Sequence, residues 1–243
     1  QYEIIKRIAP HQFVTHNAFQ DMTNVDLQKF VQEAVDFVSY DSYPEFKVCD
    51  LTLPRLFRDR FESRLLSRMR GVSPKFMVLE QQSGPSGQIG GILNSNPDYL
   101  HPTPKPGQMR LWCWNSIANG ADGIVFFRWR SLPCGAEAHW NGLLYHDERN
   151  TWRLEEAKRL GQEIKRLSVT LTGTRCVSPA AILYDFDNES HAKIECATGQ
   201  QREASERAVF QALSERHLSP DVRAVSSLQG NGDLSAYQIV FFP

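Results

Sequence analysis

The chain has 243 residues, enough for one large domain or two modest ones with a sizeable core. Hydrophobic residues make up 41% and charged residues 23%, and the net charge of −1 argues against a nucleic-acid or membrane partner. The five cysteines lie far apart without a Cys-x-x-Cys pair. We therefore expect neither a disulfide framework nor a zinc cluster, and we expect a cytoplasmic location.

Four short apolar runs in the first two thirds of the chain each end on a polar residue. They span residues 13–17, 37–41, 76–80 and 124–128. Near-continuous apolar runs of this length predict parallel strands that are buried on both faces. Helical patterns separate the runs, such as Leu154, Ala157, Leu160 and Ile164 on one face. Alternating strands and helices with polar strand ends indicate half of a (β/α)₈ barrel, whose sites gather at the carboxyl ends of the strands.

After residue 173 the pattern restarts with strands at 180–184, 221–225 and 237–242 and a helix at 203–216. This order predicts the opening of a doubly wound α/β domain. We place the domains at residues 1–173 and 174–243. Because the chain starts at Gln1 and stops directly after an apolar run, we expect a fragment of a longer protein.

One predicted helix carries a basic run. Its apolar residues Phe57, Phe61 and Leu65 lie opposite the arginines, so we expect a solvated amphipathic helix rather than a phosphate site. The arginines are Arg55, Arg58, Arg60, Arg64, Arg68 and Arg70.

Glu80 closes the third apolar run and opens onto the Gly-, Ser- and Pro-rich segment 83–107, which is long enough to indicate a working loop. Retaining glycoside hydrolysis needs two carboxyl groups roughly 5–5.5 Å apart, and a carboxylate at a strand end is well placed to be one of them. Position alone leaves equally open a structural glutamate bonded to a neighbouring helix.

Several linked motifs settle that choice. They are Asp41-Ser42-Tyr43-Pro44, Leu79-Glu80-Gln81-Gln82-Ser83-Gly84-Pro85, Pro106-Gly107-Gln108-Met109, Gly120-Ala121-Asp122-Gly123, Phe126-Phe127-Arg128-Trp129-Arg130 and Gly135-Ala136-Glu137. In this order they resemble the glycoside hydrolase family 42 β-galactosidases. The resemblance implies strands 5–8 of a TIM barrel, followed by the start of a flavodoxin-like trimerisation domain and assembly as a homotrimer.

The resemblance also implies roles for single residues. Glu80 corresponds to the nucleophile, Tyr43 to a tyrosine beside it, and Glu137 to a galactose-binding glutamate. Asn17 is expected to be scaffold, and Arg128 and Arg130 are expected to anchor the last barrel strand and its loop. The alternatives are a Tyr43 ring packed under the turn that follows it, and a Glu137 that lies on a surface loop without binding sugar.

Two positions depart from the common family pattern. Trp140 stands where most members have histidine, with His139 one place earlier, so either side chain could bind the substrate. Gln88 stands where many members have a tryptophan platform, which leaves the fine substrate preference open.

The family's acid/base belongs to an Asn-Glu pair after the fourth barrel strand, which we expect to lie outside this chain. Asn188-Glu189 follows a strand of the second domain and is not that pair. We therefore expect the isolated fragment to be inactive.

The implied function is retaining hydrolysis of terminal β-D-galactosyl residues, with a galactoside as substrate. No cofactor is expected, and the seven histidines lack the spacing of a metal site. Open alternatives are an exo-glycosidase for β-fucosides or α-L-arabinopyranosides, and a non-catalytic carbohydrate-binding or assembly protein.

Overall fold

A computed structural model describes residues 1–19, 25–44, 55–85, 103–135, 137–195, 197–228 and 234–243. The predicted departure at Gln88 lies outside these residues. Four strands form the first sheet in the order β1-β2-β3-β4, and every neighbouring pair is parallel. They span Thr15–Phe19, Phe37–Ser42, Phe76–Gln82 and Ala121–Phe127. Consecutive parallel order is the arrangement predicted for half of a barrel.

In the described ranges, five helices accompany this sheet: α1 Tyr2–Ile8, α2 Leu27–Ala34, α3 Arg55–Val72, α4 Gln108–Ala118 and α5 Trp152–Leu171. Local sequence explains their ends. The Asp26 side chain accepts a bond from the Lys29 amide at the start of α2, and the Thr151 hydroxyl accepts from two amides at the start of α5. Gly120 follows α4 with φ of 98°, the left-handed conformation that glycine adopts without a steric penalty.

The sheet and α3 enclose the main hydrophobic core. Val38, Phe76 and Val78 of the strands are fully buried, and so are Leu65 and Leu66 of α3. Among the helices of the described ranges, none is long and apolar enough to cross a membrane.

The second sheet has the order β6-β5-β7, again with parallel pairs only. Its strands are β5 Ala180–Tyr184, β6 Asp221–Ala224 and β7 Ile239–Phe241, with helices α6 Phe186–Ile194 and α7 Ala197–Ser214 between the first two. The order fits the predicted opening of a doubly wound domain. The boundary near residue 173 falls between α5 and β5 and stays a prediction.

The expectation of a solvated basic face on α3 is wrong for the three arginines whose side chains are described. Arg64 and Arg68 are 2% and 3% exposed. Arg64 donates to Glu206 at 2.5 Å, and both terminal nitrogens of Arg68 donate to Glu189 at 3.0 and 2.6 Å. Hydrophobic periodicity could not reveal this, because the acidic partners lie more than a hundred positions further along the chain.

Arg70 joins α3 to the second sheet, because its guanidinium donates to the side chain of Asp221 on β6 at 2.7 Å. Next to it, a Cβ on Gly71 would lie 1.9 Å from the backbone oxygen of Val222, so the contact requires a glycine. Helix α3 therefore packs against the first sheet through leucines and bonds to α6, α7 and β6 through arginines.

Candidate active site

The carboxylate of Glu80 lies at the carboxyl end of β3 and accepts bonds from two neighbouring strands. The hydroxyl of Tyr43, directly after β2, donates to Oε2 at 2.7 Å, and the side-chain amide of Asn17 on β1 donates to Oε1 at 3.4 Å. Parallel pairing explains the cluster, because Asp41 is the register partner of both Phe19 and Glu80. Each oxygen of Glu80 thus has its own donor, which fixes the plane of the carboxylate.

Asn17 is itself held in orientation. The hydroxyl of Ser39 donates to Asn17 Oδ1 at 3.1 Å, and the hydroxyl of Thr15 bonds to Ser39 at 3.2 Å. Because Oδ1 accepts, the amide nitrogen faces Glu80. These bonds are compatible with the scaffold role predicted for Asn17, which stays a prediction.

Aromatic rings form one wall beside Glu80. Tyr43 and Trp140 meet edge to face with ring centroids 4.8 Å apart, and Phe127 packs edge to face against both at 6.3 and 6.0 Å. Trp140 is 8% exposed, whereas His139 points to solvent. Of the two side chains that the sequence left open, the structure brings Trp140 into the cluster and leaves His139 outside it.

Glu137 lies on the loop after β4 and pairs with Arg128, whose Nη2 donates to Oε2 at 2.8 Å. Sequence reasoning treated Arg128 as a strand anchor and missed this pair. A signal was present, since Arg128 ends its apolar run at the point where Asn17, Asp41 and Glu80 end theirs.

Burial and neighbouring negative charge raise the pKa of two groups in this cluster, Asp41 and Tyr43. Burial first, and then the charge of Glu80, raise the pKa of Asp41 from 3.8 to about 7. Burial also raises the pKa of Tyr43, as do its bond to Glu80 and the charges of Glu80, Asp41 and Glu137. Tyr43 is therefore a neutral hydroxyl at physiological pH and can donate to the Glu80 carboxylate.

Two backbone contacts join the loops around the cluster. The hydroxyl of Ser83 donates to the backbone oxygen of Phe127 at 2.9 Å, and the amide of Asn141 donates to that of Pro85 at 2.9 Å. A Cβ on Gly84 would lie 2.4 Å from the oxygen of Asn141. The chain after Glu80 is thereby tied to the loop that carries Glu137 and Trp140.

Within the described ranges, no group of three His, Cys, Asp or Glu side chains could hold a metal ion. Asn188-Glu189 lies away from this cluster. Glu189 is on α6, and its carboxylate is bonded to Arg68.

Parallel barrel strands with carboxylates and aromatic rings gathered at their carboxyl ends are the arrangement of TIM-barrel glycoside hydrolases. A family model described as beta-galactosidase, glycoside hydrolase family 42, matches residues 1–167. The chain belongs to this family, as its motifs predict.

Curated relatives agree with this assignment. A beta-galactosidase from Thermus thermophilus is 33% identical over 196 residues, covering 77% of this chain and 28% of that protein. Beta-galactosidase bgaB from Geobacillus kaustophilus is 29% identical over 250 residues, covering 99% of this chain and 33% of that protein. The chain thus spans about a third or less of the length of these relatives.

Solved structures show the same fold. Beta-galactosidase from Marinomonas ef1 is 25% identical with a TM-score of 0.80, and the match covers 100% of this chain and 37% of that one. The enzyme from Bacillus circulans sp. alkalophilus is 26% identical with a TM-score of 0.81, covering 99% and 33%. The predicted fold class, a partial TIM barrel of α/β type, is confirmed.

Proposed function

We propose that the protein carrying these residues hydrolyses terminal β-D-galactosyl residues with retention, and that Glu80 is its nucleophile. The main support is the pair of bonds from Tyr43 and Asn17, which orient a strand-end carboxylate in a chain of family 42. A carboxylate that is oriented in this way is prepared for attack at the anomeric carbon.

In the proposed reaction, one oxygen of Glu80 bonds to the anomeric carbon while the glycosidic bond breaks and the leaving oxygen takes a proton from the acid/base. Water, deprotonated by the same acid/base, then cleaves the galactosyl ester and frees the Glu80 carboxylate. In this reaction Tyr43 stays neutral and donates to Glu80. It orients the carboxylate and does not itself act as a nucleophile.

The proposal assigns the acid/base to a residue outside this chain, as the family resemblance implies. Asp41 is the register neighbour of Glu80, but it is buried on β2 beside the nucleophile rather than across the space that a sugar ring would occupy. We therefore expect the 243 residues alone to show no turnover.

Glu137 and Trp140 complete the proposed galactose site. Glu137 carries a carboxylate for sugar hydroxyls, and Trp140 offers an indole beside Tyr43 for the apolar face of the ring. His139, which is exposed, remains the second candidate for the sugar contact assigned to Trp140.

Assembly as a homotrimer through the second α/β domain and a cytoplasmic location belong to the same proposal. Both follow from family resemblance, and the parallel β6-β5-β7 sheet is compatible with the expected trimerisation domain. Light scattering of the full-length protein after gel filtration would measure its mass and test the trimer.

The experiment that tests the nucleophile uses Glu80→Ala in the full-length protein with a dinitrophenyl β-galactoside and azide. Loss of the nucleophile should lower kcat by at least about a thousandfold. Azide should restore turnover and give α-galactosyl azide, because a small anion then attacks from the side that Glu80 vacates. Glu155→Ala, at an exposed position on α5, is the matched control and should retain full activity.

An unchanged rate in Glu80→Ala, or a β-configured azide product, would contradict the proposal. Nitrophenyl β-fucoside and α-L-arabinopyranoside, measured in parallel, test the exo-glycosidase alternative. Galactose binding without turnover by the full-length protein would favour the non-catalytic alternative.

A further inference from the structure

We propose that Arg128 is a positioning residue that holds the carboxylate of Glu137 in the orientation required for binding the sugar. This inference rests on the proposed function, because the ligand of Glu137 is the galactosyl group. It goes beyond that function by giving the active site a residue that acts through another side chain.

Arg128 is held in place before it reaches Glu137. Its backbone oxygen accepts a bond from the amide of Leu143 at 2.8 Å, which ties it to the loop after β4. Its guanidinium carbon lies 4.6 Å from the ring centroid of Phe127, a cation–π distance. With the backbone bonded and the side chain packed on a ring, the guanidinium has a restricted set of positions.

Glu137 has far less support of its own. Its side chain is 45% exposed, whereas that of Arg128 is 18% exposed. Among the described residues, the donor to the Glu137 carboxylate is Arg128, whose Nη2 bonds to Oε2. This leaves Oε1 available for a sugar hydroxyl.

The ion pair of Arg128 and Glu137 should affect sugar binding more than the stability of the fold. A partly exposed ion pair contributes little to stability, so its removal should hardly change the unfolding temperature. A glutamate released from its partner regains rotamer freedom, and binding must then supply the entropy of ordering it. We therefore expect KM to rise while the fold stays intact.

Arg128 could instead bind the sugar directly through its second terminal nitrogen. Its other terminal nitrogen, Nη1, is buried and has no hydrogen-bond partner within the described ranges. A buried donor without a partner is costly, and a sugar oxygen would relieve that cost. Direct binding through Nη1 and positioning through Nη2 predict different results when both residues are changed.

The test is a double-mutant cycle in the full-length protein with Arg128→Gln, Glu137→Gln and the combined variant, assayed on a nitrophenyl β-galactoside. Each single change should raise KM by about tenfold with a smaller effect on kcat, as expected for lost binding rather than lost chemistry. The second change should add almost nothing to the first, because the two residues act as one unit. Arg128→Lys should recover part of the loss.

Arg149→Gln is the matched control, since Arg149 pairs with Asp147 in an exposed position, and its KM should equal that of wild type. Thermal unfolding of every variant checks the fold. If Arg128→Gln does not fold, Arg128→Lys takes its place in the cycle.

Effects on KM that add in the combined variant would overturn the positioning role, and so would an unchanged KM in Arg128→Gln. Wild-type turnover in the same assays shows that only this inference has failed. Absence of wild-type turnover would overturn the proposed function, and the inference with it.

Discussion

Asp41 and Glu80 are register partners on neighbouring parallel strands, so two carboxyl groups lie side by side at the end of the sheet. Asp41 is 8% exposed, and its pKa is raised to about 7. Two adjacent carboxylates in a poorly solvated place cannot both ionise cheaply. The folded protein therefore keeps a proton on Asp41 over a range in which the unfolded chain has lost it.

This pairing predicts a pH-dependent gain in stability for Asp41→Asn. Because the folded pKa of about 7 exceeds the ordinary 3.8, stability from this site falls as pH rises through that interval. Asparagine cannot ionise, so its gain should be largest near pH 8, at most about 4 kcal/mol, and should vanish near pH 4. Thermal unfolding of the full-length protein between these pH values measures it.

Asp122→Asn is the control for that experiment, because Asp122 is exposed on β4. Its difference from wild type should not change over the same range. A gain for Asp41→Asn that increases on acidification would contradict the assignment.

Tyr43→Phe isolates the hydroxyl that donates to Glu80 at 2.7 Å, because the phenyl ring keeps its contacts with Trp140 and Phe127. A hydrogen bond to a charged group contributes about 1.5–3 kcal/mol, so kcat should fall by about ten- to a hundredfold with little change in KM. Steady-state kinetics of the full-length protein measure both constants. Tyr40→Phe on the same strand is the control, since Tyr40 bonds to Glu62 instead, and an equal loss there would indicate a general packing defect.

Trp140→Ala and His139→Ala decide between the two side chains that the sequence left open. Trp140 is buried against Tyr43, so its removal should lower kcat/KM by about a hundredfold through lost stacking and a looser Tyr43. His139 is exposed, and its removal should change kcat/KM by less than about twofold. The reverse order of effects would transfer the sugar contact to His139.

Glu189→Gln tests the buried ion pair between α3 and α6. It removes the charge that is bonded twice to a buried Arg68, and an uncompensated buried charge costs about 3–5 kcal/mol. Urea unfolding followed by fluorescence should show the loss in free energy of unfolding. Asp147→Asn breaks an exposed pair and should cost less than about 1 kcal/mol; an equal cost for both changes would refute a special role for the buried pair.

Sequence patterns predict the part of the site that depends on strand direction. Four apolar runs with polar ends indicate parallel strands, and parallel strands bring Asn17, Tyr43 and Glu80 to the same edge of the sheet. The ends of single strands were predicted less well. The first run predicts a strand over 13–17, while β1 spans Thr15–Phe19, because Phe13 packs on Phe37 outside the ladder and is 64% exposed.

Contacts between distant side chains could not be predicted in the same way. Hydrophobic patterning states which face is buried, but not which charge will face it. Arg68 therefore suggested solvent rather than Glu189, and Arg128 suggested an anchor rather than a partner for Glu137. Both errors concern arginines, whose long apolar stems allow a charged group to lie in a largely buried place beside an acidic partner.

The bonds of Ser83 and Pro85 to the end of β4 and the loop after it restrict the chain that follows Glu80. Residue 85 is fastened by Asn141, and the chain at Gly107 is fastened again by its amide bond to the carboxylate of Glu156. Because the bonds of Ser83 and Pro85 reach backbone atoms, a displacement of the loop after β4 would also move the chain that follows Glu80. The two sides of the candidate site are therefore mechanically coupled.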